Sequence, residues 1–212
     1  ILPKFFLENC GAYLAAIRSI GRTEEYFYMP VFESAAMIPP QTRREALTEV
    51  RAQLDTVSGS ILNIRVGGND LSHAFGLRRP ANRTIYDLRP VADILIDIVA
   101  AFGTQYVVSG PVWEYYSGEG WEEGLRREME LDLLNGFTGK TVIHPNQIPV
   151  VNEMLRVSQR DYADARAILN WDTGSGSLVS ASEDGGRMNE YNTHSRWARR
   201  IVLRAERYGV RA

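Results

Sequence analysis

Short β-branched, apolar runs alternate with amphipathic helical stretches along the first three quarters of this chain. Strands are expected over 1–7, 26–33, 61–70, 105–109 and 140–144. Helices are expected over 9–20, with Leu14 turned inward, and over 88–102, 121–135 and 146–156. Another carries the stripe Ala46, Leu47, Val50 and Leu54, entered through the capping box Thr42-Arg43-Arg44-Glu45. Gly21, Gly103 and Gly136 stand where helices should stop. Five strand-then-helix units in succession predict a parallel sheet with helices outside it.

The last quarter breaks this rhythm. Ser158-Gln159-Arg160-Asp161 reads as a capping box leading a helix to Trp171, and 172–176 reads as a linker. Runs 178–182 and 187–191 flank the acidic turn Glu183-Asp184-Gly185-Gly186. A final helix from Thr193 stacks Trp197, Ile201, Ala205 and Tyr208, and its arginines fit a solvated face. The expected domains are therefore 1–157, the α/β part, and 158–212, a lid or oligomerisation extension.

Composition narrows the class. With 44% hydrophobic and 24% charged residues the chain is an ordinary globular protein, and a net charge of −2 offers no surface for nucleic acid or membrane. Its most apolar stretch, 91–102, carries Asp93 and Asp97 and is no membrane span. A single cysteine, Cys10, rules out an internal disulfide and fits a cytoplasmic setting.

Chemistry gathers where strands end. Ile61–Val66 breaks at Gly67-Gly68 and delivers Asn69-Asp70 at the end where α/β folds collect their ligands. Glycines leave room for close approach to that carboxylate, although Asp70 reads equally as a cap on the next helical turn. Glu33 ends another strand, and Lys4 a third. Arg78, Arg79 and Arg83 follow on a polar loop, suited either to phosphate or to solvent. Trp113, Tyr115 and Tyr116 are pocket or core aromatics.

The segment Gly136-Phe137-Thr138-Gly139-Lys140-Thr141-Val142-Ile143-His144-Pro145-Asn146-Gln147-Ile148, with Val151-Asn152 after it, resembles a signature of the citrate lyase β-subunit-like family within the HpcH/HpaI aldolases. Leu2-Pro3-Lys4, Pro30-Val31-Phe32-Glu33, Gly67-Gly68-Asn69-Asp70-Leu71 and Asp184-Gly185-Gly186-Arg187-Met188 resemble further family segments, in the same order. Ser109-Gly110-Pro111-Val112-Trp113 stands where relatives commonly carry an aspartate. This and the long Glu33-to-Asp70 spacing resemble the divergent C–C bond lyase subgroup found with tellurium-resistance genes.

The resemblance implies a (β/α)₈ TIM barrel, of which this chain holds the last five units, with about three more expected before Ile1. It implies Mg²⁺ held by Glu33 and Asp70, and a substrate that is a small carboxylate or acyl thioester, CoA-linked in some relatives. The implied reaction cleaves or forms a C–C bond through a metal-stabilised enolate. Thioester hydrolysis on the same metal, or a catalytically silent binding subunit, are the rival readings. Lys4 and Asp184 are the candidate catalytic groups. Gly68, Asn69, Arg78, Arg79, Lys140 and His144 are candidates for substrate binding, with a structural, hydrogen-bonding role as the alternative for His144. The resemblance also implies a homo-oligomer, trimer or hexamer, with the tail packed on a neighbour or over the barrel mouth.

Overall fold

The computed structural model of the chain describes residues 10–19, 27–172, 174 and 179–211. The expected strand over 1–7 and Lys4 lie outside these residues. The chain divides into two compact units, Ile1–Val151 and Asn152–Ala212.

In the first unit α1 (Cys10–Ser19) precedes β1 (Val31–Phe32), α2 (Pro40–Asp55), β2 (Ile64–Val66) and α3 (Gly68–Ala74). Then come α4 (Arg89–Phe102), β3 (Val108–Gly110), α5 (Trp121–Leu134), β4 (Gly139–Lys140) and α6 (Gln147–Met154), which runs past the unit's end. The four strands form one sheet in chain order, every pair parallel. Parallel neighbours joined by helices put all the strands' C-terminal ends on one side. That is the expected arrangement for part of a (β/α) barrel. Helix α4 shows how it is held. Val91, Ile94, Leu95, Ile98 and Phe102 recur at helical spacing and are fully buried with Phe32, Leu54, Ile64 and Leu71.

Boundaries shift where backbone chemistry outweighs side-chain pattern. Helix α2 starts at Pro40 rather than through a Thr42 capping box. Proline pre-sets the first helical turn, and the Thr42 hydroxyl instead donates to the Pro39 and Ala36 carbonyls. The strand expected over 61–70 stops at Val66, so Asp70 stands in the first turn of α3 and not on the strand. A capping box that the pattern did not reveal joins Thr84 to Asp87 before α4.

In the second unit β5 (Val157–Ser158) pairs with β8 (Val210–Arg211), and β6 (Ser180–Ala181) pairs antiparallel with β7 (Met188–Asn189). Helices α7 (Gln159–Leu169) and α8 (Tyr191–Tyr208) pack through Ala165, Ile168, Ala198, Ile201 and Ala205. Ser158 caps α7 as expected, its hydroxyl accepting from the Asp161 N–H at 3.0 Å. On α8, Arg196, Arg199, Arg200 and Arg207 are exposed, while Arg204 is half-buried.

Candidate functional site

The pairing of β1 with β2 brings the two expected metal carboxylates to neighbouring positions. Phe32 is in register with Val66, and the Gly67 N–H donates to the Phe32 carbonyl at 3.0 Å. Glu33 therefore follows its strand directly beside Gly67. A Cβ at Gly67 would overlap the Glu33 carboxylate, so the absent side chain is the space this carboxylate occupies. Asp70 follows three residues later, in the first turn of α3. An acid there is also favoured by the helix's exposed N–H groups, so the cap reading and the ligand reading describe one placement. Two hard carboxylate oxygens, with remaining positions open to water or substrate, fit Mg²⁺. Among the described residues no cluster of three or more His, Cys, Asp or Glu side chains could hold a metal. Gly67→Ala should push Glu33 aside without removing a charge. We expect at least a 10-fold loss of Mg²⁺ affinity by calorimetry, on the order seen when a ligand's support is lost.

Several expected substrate ligands are committed elsewhere. Lys140, from the strongest motif, is turned into the protein: its ammonium has no exposed surface and binds Glu128 Oε1 at 2.7 Å and Asp132 Oδ2 at 2.8 Å. The physical reason is that α5 turns both acids inward, alongside Leu125 and Met129, where a buried charge must be paired. Arg79 likewise does not belong to a solvated loop. It is 1% exposed. Its Nε pairs with Glu128 Oε2 at 2.9 Å, and its Nη2 reaches the Val112 carbonyl and Glu128 Oε1 at 2.5 and 3.2 Å. Its Nη1 donates to Asn69 Oδ1 at 3.2 Å, and the guanidinium lies 5.1 Å from the Trp113 ring centre. Gly68 is a glycine that close packing requires. A Cβ there would meet Ile85 Cδ1 at 2.5 Å and Pro111 Cβ at 2.6 Å.

The acids of α5 complete a buried cluster that joins three loops. Glu128 Oε2 also accepts the Ile85 N–H at 2.8 Å, and Asp132 Oδ1 accepts the Tyr86 hydroxyl at 2.7 Å. Burial pushes the Asp132 carboxyl above its usual range despite the opposing pull of Lys140. Burial, then the charge of Asp132, pushes the Tyr86 phenol upward too. The sequence did carry a signal for Glu128 and Asp132: two acids four apart on the apolar face of a helix.

Two more motif residues have mainly structural partners. The His144 ring stacks on Tyr116 at 4.3 Å and 11°, and its Nδ1 accepts the Asn146 N–H at 3.2 Å. Gln147 is fully buried. Its Nε2 donates to the Trp113 and Tyr115 carbonyls, both at 2.8 Å, and its Oε1 accepts the Ile143 N–H at 2.9 Å. Gln147→Leu should cost about 1–3 kcal/mol in a urea melt, because it strands buried backbone groups. Trp113 is core, its indole N–H donating to the Trp121 carbonyl at 3.0 Å.

Arg78 stays at the surface. Its side chain is 79% exposed, 3.2 Å from Glu114. A cleft of about 340 Å³ opens among Asn69, His73, Arg78, Arg79 and Glu114. In the second unit the exposed Asp184 carboxylate accepts from the Ser182 hydroxyl at 2.6 Å and the Gly186 N–H at 3.0 Å, and pairs with Arg160 at 3.0 Å. The Ser182 hydrogen bond first, and the Gly186 N–H next, hold its carboxyl below the usual range. Its carboxylate form is thereby favoured, which is not the form that donates a proton.

Parallel strands with acids just past their C-terminal ends fit part of a (β/α) barrel, whose chemistry sits on those loops. The chain belongs to the family of C-C bond lyases of the TIM-barrel fold, whose match spans residues 1–210. Its fold is similar to that of a citrate lyase from Burkholderia xenovorans, with a TM-score of 0.67 and 17% identity over 97% of this chain and 62% of that one. It is also similar to CitE from Mycobacterium tuberculosis, solved with magnesium, acetoacetate and coenzyme A. There the TM-score is 0.56 and the identity 24%, over 85% of this chain and 61% of that one. Over 74 residues it is 38% identical to L-malyl-CoA/β-methylmalyl-CoA lyase of Cereibacter sphaeroides, covering 34% of this chain and 22% of that protein. The chain thus spans about three fifths of those two solved structures. Among the described residues no helix is long and apolar enough to cross a membrane.

Proposed function

We propose that this chain supplies the metal-binding part of a Mg²⁺-dependent carbon–carbon lyase site. The observation that carries the reading is the placement of Glu33 beside Gly67, with Asp70 in the next turn. Mg²⁺ held by these two carboxylates would stabilise the negative charge that develops on a substrate carbonyl as the C–C bond breaks. Glu33 and Asp70 bind and orient. Asn69 lines the adjoining cleft and holds its Oδ1 against Arg79, and Arg78 stands at the cleft with a cation for a carboxylate or phosphate. The substrate class is a 2-oxo acid or an acyl thioester, CoA-linked as in the malyl-CoA lyase relative. A homo-oligomer with the tail unit at a neighbour's barrel mouth belongs to the same proposal.

The test is product identity. The intact protein is incubated with Mg²⁺ and short hydroxyacyl-CoA substrates, and the carbon skeletons of the products are analysed. Cleavage into an acyl-CoA and a carbonyl fragment, abolished by EDTA, is the expected result. Release of free CoA with the acid skeleton whole would make the protein a thioester hydrolase. No turnover would favour a binding subunit.

A further inference from the structure

We propose that Arg79, clamped by Glu128, is a positioning residue for the metal-binding turn. This inference rests on the reading of Glu33 and Asp70 as the Mg²⁺ ligands. Glu128 uses both oxygens: Oε2 accepts the Ile85 N–H and lies in ion-pair contact with Arg79 Nε, whose own N–H makes no hydrogen bond, and Oε1 accepts from Lys140 and Arg79 Nη2. A carboxylate saturated in this way, with no exposed surface, cannot swing to another partner without leaving buried donors unpaired. The guanidinium is fixed in turn, and its two outer nitrogens hold two different segments, the start of α3 and the loop after β3. Nη1 donates to Asn69, in the first turn of α3 beside Asp70, and Nη2 to the Val112 carbonyl after β3. The Tyr115 hydroxyl donates to the Arg79 carbonyl at 2.9 Å, which also pins the residue's backbone. Helix α3 spans only seven residues, and Gly67 at its N-cap offers no side-chain cap. The Arg79–Asn69 hydrogen bond is therefore an external support for the turn that carries Asp70.

Lysine at this position keeps the charge opposite Glu128 but lacks the fork that reaches Asn69 and Val112 together. Arg79→Lys should weaken Mg²⁺ binding about 10-fold or more, as loss of a group that orients a metal ligand does elsewhere. Asn69→Ala removes the acceptor and should weaken binding to a similar degree. The double variant should be no weaker than the worse of the two, because both remove one hydrogen bond. Ile98→Val, in the fully buried face of α4, serves as a control for lost stability alone and should leave affinity unchanged.

Calorimetry with Mg²⁺ on the intact wild type and these four variants reads the answer, with thermal melts alongside. Equal affinity in wild type and Arg79→Lys overturns the inference and leaves the metal reading standing. So do additive losses in the double variant, or the same loss in Ile98→Val. A wild type that binds no Mg²⁺ overturns the metal reading, and this inference falls with it.

Discussion

Asp70→Asn is expected to lower turnover by more than about 100-fold, the order lost when a key group stabilising transition-state charge is removed. The substitution keeps size and hydrogen-bonding capacity but deletes one of the two carboxylates proposed to hold the metal. Neutral amide oxygen repays less of the dehydration cost of Mg²⁺ than carboxylate does. Glu33→Gln makes the same change just past the neighbouring strand and should have the same effect. The two together should cost little more than either alone, since they serve one ion. Folding should survive, because both residues follow their strands instead of filling the core. Steady-state kinetics and thermal melts of the single and double variants check all three points. Full turnover in either single variant would remove that carboxylate from the site.

The second large effect concerns stability. Lys140→Met should destabilise the fold by about 3–5 kcal/mol, the cost of leaving buried charge without its partner. Glu128 and Asp132 would then share a dry site with Arg79 alone. The pH dependence follows from Asp132, whose carboxyl burial already raises. A carboxyl with a raised folded-state value favours the fold while protonated, and that contribution is lost as pH climbs above the ordinary carboxylate range. Loss of the ammonium raises the value further. The deficit of Lys140→Met should accordingly be larger near pH 8 than near pH 5. Urea melts at both pH values measure it, and an equal deficit at the two would show that removing Lys140 leaves the protonation of Asp132 unchanged.

Much of the architecture was legible because its periods are clean. The stripe of α4 needs no context beyond its own spacing, and Gly67-Gly68 follows directly on the end of β2, although the expected strand runs on to Asp70. Family resemblance then located Glu33 and Asp70, which no spacing rule would have paired. What pattern could not supply was the direction of long polar side chains. Arg78 and Arg79 are adjacent in a polar loop, yet one is 79% exposed at the side chain and the other 1%. The difference lies in Glu128, which is remote in sequence and meets Arg79 only after α5 packs. Lys140 was read as a ligand because it sits in a specific motif. The motif is instead accounted for by packing needs: Lys140 neutralises α5, and Gln147 satisfies three backbone groups. Strength of a motif thus marked constraint without saying whether substrate or structure imposed it.

The central claim is that Glu33 and Asp70 hold a divalent ion together. Crystals of the intact protein soaked with Mn²⁺, a scatterer that replaces Mg²⁺ at carboxylate sites, test it through the anomalous map. The account predicts one peak within direct bonding distance of both carboxylates, absent from crystals of Asp70→Asn. A peak at other residues, or none beside Glu33 and Asp70 in the wild type, would contradict it.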